Sequence, residues 1–296
     1  MKKILQISNY QYPHIGGIEQ VARDIADALC GREDIEQKII CFNEDAQDGD
    51  FICKRHETIR EDDKGIEVIR CGCITKVASQ SISLTFGRQL KKVIKEFKPD
   101  IIIFHYPNPY QAAFLLPLLD ASTKFIVYWH LDIIKQKILG KLFNAQTLRL
   151  LKRADKVVAT SPNYIDGSKY LSRFRDKCIV IPNCIQPERL IANEDTVHMV
   201  KSIKEKYAGK TICFAVGRHV PYKGMEYLVK ASKYLDDSFA ILIGGKCPLT
   251  EELIKMAQND KKVEFLGRVS DDELIAYYEA CDIFAFPSIT KNEAFG

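Results

Sequence analysis

The sequence predicts an α/β fold in which parallel sheets form two doubly wound units in tandem. Short runs of β-branched and other apolar residues recur along the chain, and stretches with helical periodicity separate them. Strands that are apolar throughout are typical of parallel sheets covered by helices on both faces. The alternation stops over the polar stretch 187–209 and then restarts. We therefore predict two domains, 1–186 and 187–296, a division that suits a chain of 296 residues.

The first predicted domain starts with a strand and alternates from there. Pro99 and Asp100 end its second helix, directly before the buried run Ile101-Ile102-Ile103-Phe104. The acid-rich segment 43–63 is predicted to be a loop with one short strand at 51–54. The other strands are predicted at 4–7, 37–42, 67–70, 101–104, 125–128, 155–159 and 178–181, and the helices at 18–29, 83–97 and 133–151. A further helix is predicted to begin at Ser161-Pro162, with Ser161 as its cap.

The second predicted domain opens with a helix at 196–207 and then repeats the same alternation of strands and helices. Its apolar runs are four to six residues long, which suits strands, and its amphipathic stretches are longer. The strands are predicted at 211–216, 240–243, 263–266 and 283–286, and the helices at 225–234, 251–258 and 271–280.

Composition excludes several classes of protein. With 46% hydrophobic and 28% charged residues, the chain is neither disordered nor fibrous. A net charge of +4 gives no reason to expect a nucleic-acid partner. The ten cysteines form no C-x-x-C pair, and no apolar run reaches the ~18 residues of a membrane span. We expect a cytoplasmic protein with free thiols.

Ligands of doubly wound folds bind at the carboxyl ends of strands, so the segments that follow predicted strands are candidate sites. Gly16 and Gly17 end the loop after the first strand, where paired glycines let a backbone approach a phosphate at a helix N-terminus. A tight turn without a ligand explains them equally well. His130 directly follows another strand and is a candidate to hydrogen-bond substrate or to transfer a proton. The alternative is a helix cap, a role that Asp132 fills as well.

A third candidate follows the first strand of the second domain. Arg218 and Lys223 lie five residues apart, between Gly217 and Gly224 and ahead of a helix. The planar fork of an arginine and the point charge of a lysine together suit a diphosphate. A solvated basic loop is the alternative. A fourth segment, 287–296, carries Glu293, whose carboxylate could hold sugar hydroxyls.

Six short motifs occur in the order typical of one protein family. Each motif is weak alone, but six in order are specific. They are Gly16-Gly17-Ile18-Glu19, Ala159-Thr160-Ser161-Pro162, Ile181-Pro182-Asn183, Gly217-Arg218 with Lys223-Gly224, Phe265-Leu266-Gly267-Arg268-Val269, and Glu293-Ala294-Phe295-Gly296. The chain resembles family 4 retaining glycosyltransferases of the GT-B fold, which has two Rossmann-like domains facing a cleft. The segment that begins Trp129-His130-Leu131-Asp132 is most similar to bacterial O-antigen and exopolysaccharide mannosyl- or rhamnosyltransferases.

The resemblance implies a role for each candidate residue. The loop of Gly16 and Gly17 would touch the donor diphosphate and the acceptor, and His130 would bond the donor sugar near the reacting carbon. A clamp on the diphosphate, a nucleobase pocket and a sugar site complete the implied set. Arg218 and Lys223 would form the clamp. Gly267, Arg268 and Val269 would form the nucleobase pocket. Glu293, Ala294, Phe295 and Gly296 would form the sugar site.

The implied reaction moves a hexose from a nucleotide-diphosphate sugar, with GDP-mannose as the first expectation, to a saccharide or lipid-linked acceptor. It would retain configuration by front-face displacement and would need neither a metal nor another cofactor. The D-x-D pattern Asp48-Gly49-Asp50, which metal-dependent sugar transfer uses, lies in an acidic loop and is discounted. His14, His56, His105 and His198 have no partners at metal-ligand spacing, so we expect surface or core roles for them.

One departure from the family pattern is serious. The family motif is Glu-x7-Glu, and the sequence stops three residues after Glu293, before the second glutamate. We therefore expect a fragment of a longer protein, with the second domain incomplete. Two other functions stay open at this point: an epimerase-type GT-B enzyme that needs no acceptor, and a non-catalytic nucleotide-binding protein.

Peripheral contact with the inner face of a membrane is a separate hypothesis. The predicted helix at 83–97 has a basic face, and a second basic run covers 135–141. Such segments suit anionic lipid headgroups. A solvated helix face is the alternative.

Overall fold

The computed structural model describes most of the chain and divides it into two compact units, Met1–Asn183 and a second that begins at Cys184. The sequence-based domain boundary lies close to this division. The residues described are 1–14, 16–44, 53–77, 80–133, 140–184, 186–246 and 248–290.

The first unit is built on an eight-stranded sheet, as far as the described residues show. Its strands lie in the order β10-β9-β8-β7-β1-β2-β4-β3, and every pair is parallel except the antiparallel edge pair of β3 and β4. The strands are β1 (Lys2–Ile7), β2 (Ile35–Phe42), β3 (Ile59–Asp63), β4 (Ile66–Cys71), β7 (Ile101–Tyr106), β8 (Lys124–Trp129), β9 (Lys156–Ala159) and β10 (Cys178–Val180), with a separate hairpin of β5 (Thr75–Val77) and β6 (Gln80–Ile82).

Helices cover both faces of this sheet because the strands carry apolar side chains on each face. They are α1 (Gly17–Leu29), α2 (Phe86–Phe97), α3 (Pro109–Leu115), α4 (Gly140–Arg153) and α5 (Pro162–Gly167). Helix α2 buries Phe86, Leu90, Val93 and Phe97, which recur every three or four residues on one side of the helix. These side chains join the main core with Phe104 and its strand neighbours, whereas α1 packs on the opposite face.

The second unit repeats this plan on a smaller scale. In its described residues four parallel strands lie in the order β13-β12-β11-β14. Helices α6 and α9 contribute to the cluster on one face, and α7 and α8 to the cluster on the other. The elements are α6 (Glu194–Lys206), β11 (Thr211–Val216), α7 (Met225–Ala231), β12 (Phe239–Gly244), α8 (Thr250–Ala257), β13 (Val263–Gly267), α9 (Asp271–Ala280) and β14 (Ile283–Phe284).

Each sheet has one point at which the strand order reverses. In the first unit the chain proceeds outward from β1 to β2 and β4, then returns to β7 on the other side of β1. In the second unit β12 and β13 extend from one side of β11, and β14 pairs with its other side. Adjacent loops separate at such a reversal, so the carboxyl ends of β1 and β7, and of β11 and β14, are where a ligand site is expected.

The predicted α/β class and parallel sheets are confirmed, and the predicted strands recur with shifts at their ends. Four elements were missed: the edge strand β3, the two hairpin strands β5 and β6, and helix α3, whose N-cap Asn108 accepts a hydrogen bond from the backbone N–H of Gln111. Of the helix predicted at 133–151, Ile133 is not helical and Gly140–Arg153 forms α4, while residues 134–139 lie outside the described residues. Of the strand predicted at 51–54, the described residues Cys53 and Lys54 are not in a strand.

None of the helices in the described part of the chain combines the length and the apolarity needed to cross a bilayer.

Candidate functional site

His130 lies at the carboxyl end of β8, beside the strand reversal of the first unit. Its side chain is buried, with 7% exposure, and its backbone N–H donates to the carbonyl of Tyr106 at 3.1 Å. Its ring Nε2 lies 3.0 Å from Nδ1 of His105, the last residue but one of the neighbouring strand β7. The ring therefore hydrogen-bonds a second histidine and does not cap a helix.

The hydrogen-bonded chain continues from His105 to Gln6 on β1. The Nε2 atom of His105 lies 3.1 Å from Oε1 of Gln6, and both residues are fully buried. From the sequence we expect only a surface or core role for His105, and its contact with His130 is not foreseen. Only the strand register could have indicated it, because His105 pairs with Tyr128, two residues before His130.

Burial sets the charge of this histidine pair. Loss of water lowers the pKa of His105 to about 3. Desolvation first, and then the nearby His105, lower the pKa of His130 well below its ordinary value. Both rings are therefore neutral at pH 7, and His130 acts there as a hydrogen-bonding group rather than as a cation.

Asp132 anchors the segment that follows His130. Its carboxylate accepts hydrogen bonds from the indole of Trp129 at 2.9 Å and from the hydroxyl of Ser168 at 2.8 and 3.0 Å. Its backbone N–H donates to the hydroxyl of Tyr164 at 2.8 Å. These bonds tie Asp132 to its neighbours, and the helix that it could cap is described only from Gly140 onward. The cap predicted at Ser161 is confirmed by its bond from the Tyr164 backbone N–H.

Gly16 and Gly17 form the start of α1. Gly16 has an extended backbone, and a Cβ there would lie 2.3 Å from a carboxylate oxygen of Glu19. A Cβ on Gly17 would meet no atom within 4 Å. Of these two glycines, only Gly16 lacks room for a Cβ, because the Glu19 side chain lies there. The cap residue of α1 is Gly16, which has no side chain to accept a hydrogen bond from the backbone N–H groups of the first turn.

A buried arginine holds the loop that leads to these glycines. Arg70 of β4 has 2% side-chain exposure and pairs with Glu61. Its guanidinium also donates to the carbonyl of Gln11 at 3.2 Å and to the carbonyl of Tyr12. A planar fork of donors can bind two carbonyls and a carboxylate together, which fixes the loop between β1 and α1.

In the second unit, glycines allow close backbone contact at the strand reversal. A Cβ on Gly245, after β12, would lie 2.0 Å from the carbonyl oxygen of Gly217, and the Gly245 φ of +114° itself favours glycine. A Cβ on Gly224 would lie 2.1 Å from the carbonyl oxygen of Pro287, after β14. The loops after β11, β12 and β14 are therefore packed together through their backbones.

The two predicted clamp residues lie on the loop after β11. The Arg218 side chain is exposed, and its guanidinium donates to the hydroxyl of Tyr222 at 3.2 Å. The Lys223 ammonium lies over the rings of Tyr222 and Phe286, 5.7 and 5.5 Å from their centroids. The aromatic rings hold both cations at the edge of the sheet.

The remaining predicted residues fall in two groups. Gly267, Arg268 and Val269 form the turn after β13, where the Gly267 carbonyl accepts from the backbone N–H of Gly245 at 2.6 Å and the Arg268 side chain is exposed. This places them next to the Gly217 loop. Outside the described residues lie Glu293, Ala294, Phe295 and Gly296, and also Asp48 and Asp50.

The sequence model of Glycosyltransferase Family 4 matches residues 15–189, and that of the glycosyl transferases group 1 matches residues 200–296. The first match covers more than half of the chain. The chain belongs to Glycosyltransferase Family 4.

Relatives within this family support the same reaction class. The chain is 29% identical to the O-antigen chain mannosyltransferase C of Escherichia coli, over 99% of this chain and 75% of that protein. It is also 29% identical to the D-rhamnosyltransferase WbpZ of Pseudomonas aeruginosa, over 95% of this chain and 70% of that protein. These relatives transfer sugars, which favours the glycosyltransferase reading over an epimerase or a non-catalytic nucleotide-binding protein.

Solved structures establish the fold. Anabaena HepE in complex with UDP superposes with a TM-score of 0.67 at 14% identity, covering 98% of this chain and 75% of HepE. The catalytic domain of starch synthase IV from Arabidopsis thaliana gives 0.71 at 16% identity, covering 98% of this chain and 79% of that domain. The GT-B fold expected from the sequence resemblance is confirmed.

The contact between Gly245 and Gly217 yields a stability prediction. We expect Gly245→Ala to lower the free energy of unfolding by more than Gly209→Ala does. Both glycines have a positive φ, which costs about 1 kcal/mol for alanine, but only Gly245 faces a backbone atom, whereas a Cβ on Gly209 meets nothing within 4 Å. Urea denaturation of the two variants measures the difference. Equal losses would show that the loops are not packed as described.

Proposed function

We propose that the chain transfers mannose from GDP-mannose to a saccharide or lipid-linked acceptor in the synthesis of a cell-surface polysaccharide. The observation that carries this proposal is the match to an O-antigen chain mannosyltransferase over 99% of this chain. The carboxyl edges of both sheets support it. His130 lies at that edge in the first unit, and Arg218 and Lys223 lie at it in the second. Transfer with retention of configuration, and without a metal ion, is part of the proposal.

The loop after β11 is proposed to hold the donor diphosphate. Arg218 supplies a fork of donors and Lys223 a second positive charge on the same short loop. Charge-assisted hydrogen bonds from such groups are about twice as strong as neutral ones. Support for a nucleotide donor comes from HepE, solved with UDP-glucose, and from starch synthase IV, solved with ADP.

Four further roles in donor and acceptor binding complete the proposal. His130 would hydrogen-bond the donor sugar, and the loop of Gly16 and Gly17 would contact the diphosphate and the acceptor. The turn after β13 would hold the nucleobase, and the carboxylate of Glu293 the sugar hydroxyls. The residues of the last two roles are Gly267, Arg268 and Val269 for the base, and Glu293 with Ala294, Phe295 and Gly296 for the sugar.

The proposed chemistry follows from where charge develops. As the bond between the sugar and the diphosphate breaks, the sugar becomes oxocarbenium-like and the leaving group gains negative charge. Arg218 and Lys223 would stabilise that charge, as fixed cations do in preorganised sites. The acceptor hydroxyl would then attack from the side that the diphosphate leaves, and the leaving phosphate would take the hydroxyl proton. A neutral His130 adds no positive charge beside the cationic sugar.

Helix α2 supports a further proposal, that the protein works at the cytoplasmic face of a membrane. Its outer side carries four exposed basic residues and a fifth follows its last residue, while its apolar side is occupied by the core of the first unit. The exposed residues are Arg88, Lys91, Lys92, Lys95 and Lys98. The other basic run, 135–141, lies almost entirely outside the described residues.

Product analysis tests the proposed reaction. We expect radiolabel from GDP-mannose to appear in a saccharide acceptor, at a rate that EDTA does not change. Label that stays in free or isomerised nucleotide sugar would instead indicate an epimerase. A panel that includes UDP-glucose and a GDP-rhamnose donor shows which sugar the site takes, and a preference for another donor would overturn the mannose assignment.

Two alanine variants test the diphosphate clamp. We expect Arg218→Ala and Lys223→Ala each to weaken GDP binding by roughly tenfold to a hundredfold, because each removes a charged hydrogen bond of about 1.5–3 kcal/mol. Isothermal titration calorimetry measures the affinity. Lys230→Ala, which removes an exposed amine from α7 in the same unit, is the matched control and should bind GDP normally. Unchanged affinity in both test variants would remove the clamp from the proposal.

Liposome binding tests the role of α2. We expect the double variant Lys91→Gln with Lys95→Gln to lose affinity for vesicles rich in phosphatidylglycerol, by about 1 kcal/mol for each charge removed. The control, Lys201→Gln with Lys204→Gln, neutralises two exposed lysines of α6 and should bind as the parent does. Binding that is the same on neutral and anionic vesicles would contradict an electrostatic contact.

A further inference from the structure

We propose that Gln6 and His105 are positioning residues that hold His130 as the tautomer with its proton on Nε2, so that Nδ1 presents a lone pair. The hydrogen-bonded chain of these three side chains crosses β1, β7 and β8, three neighbouring strands of the first unit. The use of that lone pair to accept a hydroxyl of the donor sugar rests on the proposed function. The tautomer itself does not.

The contact between the two histidines contains a single proton. Each neutral imidazole carries one N–H and one lone pair. The 3.0 Å contact between Nδ1 of His105 and Nε2 of His130 can therefore hold one proton, which belongs to either ring. If it belongs to His130, Nδ1 of His130 is an acceptor; if it belongs to His105, Nδ1 of His130 is a donor.

The amide of Gln6 decides between these two arrangements. Its carbonyl oxygen Oε1 faces Nε2 of His105 at 3.1 Å, and an amide oxygen can only accept. His105 must then carry its proton on Nε2, so its Nδ1 accepts from Nε2–H of His130. Turning the Gln6 amide, so that its NH2 group faced His105, would reverse both tautomers.

Packing keeps the three groups in this arrangement. Gln6 and His105 are fully buried, and Tyr128 stacks near-parallel on both rings, 5.6 Å from His105 and 4.9 Å from His130 between ring centroids. Burial excludes the water that would otherwise satisfy either tautomer. In such a low dielectric, two donors or two acceptors that face each other cost considerable free energy. The orientation of the Gln6 amide therefore determines the proton position on His130, two side chains along the hydrogen-bonded chain.

Histidine NMR tests the tautomer without any sugar nucleotide. In protein labelled with 15N-histidine we expect the His130 ring to show a protonated Nε2 and an unprotonated Nδ1, and the His105 ring to show the same. Signals are assigned by their loss in His130→Gln and His105→Gln. A protonated Nδ1 on His130 in the unmodified protein would overturn the proposal, and this readout needs no variant of Gln6.

A variant of Gln6 tests whether that residue sets the tautomer. Gln6→Met keeps the length of the side chain and removes the amide, so we expect both His130 tautomers to appear. Gln37→Met, which removes another buried amide from the adjacent strand β2, is the matched control and should leave the His130 signals unchanged. An unchanged His130 spectrum in folded Gln6→Met would overturn the proposal.

Donor binding then links the tautomer to function. We expect Gln6→Met to weaken GDP-mannose binding roughly tenfold, the value of one hydrogen bond, and to leave GDP binding unchanged because GDP lacks the sugar. Equal losses for both ligands would indicate a merely structural role and would contradict the proposal. A parent protein that binds no GDP-mannose would refute the proposed donor, while the NMR result would still decide the tautomer.

Discussion

Parallel pairing of buried strands is the constraint on which the rest of this structure depends. A parallel pair needs a crossover connection, and helices provide it while covering the apolar faces of the sheet. The parallel strands of each sheet therefore end at one edge of that sheet. This fixes the positions of the loops after β1 and β8 in the first unit and after β11 and β14 in the second. The polar residues that the sequence places after strands collect at these edges for this reason.

The two units meet this constraint with different chemistry. At the edge of the first, a neutral pair of histidines is buried beside a loop that Arg70 holds through its carbonyls. At the edge of the second, Gly217 and Gly245 approach through their backbones. Arg218 is exposed and Lys223 half-buried there, both beside aromatic rings. Burial keeps the histidine pair neutral, as desolvation requires, whereas the second edge presents two basic side chains.

The sequence by itself determined the α/β class, the parallel strands of both units and the resemblance to the family, but not β3 or the hairpin of β5 and β6. Apolar runs such as 101–104 become buried parallel strands whatever surrounds them, because no other arrangement covers both of their faces. Because these strands could be predicted, the sequence also showed that His130, Arg218 and Lys223 follow strands. Ser161 was recognisable as a helix cap because that interaction involves only residues three positions apart.

Only the tertiary structure decided the partners of these residues. His105 bonds His130 from a strand 25 positions away in the chain, and Gln6 bonds His105 from one 99 positions away. Arg70 reaches the carbonyls of a loop nearly 60 residues earlier, although nothing around it in the sequence distinguishes it from a surface arginine. Local periodicity specifies which face of a strand is buried but not which strand lies beside it. Strand order and register are set by packing of the whole sheet, and they bring these distant side chains together.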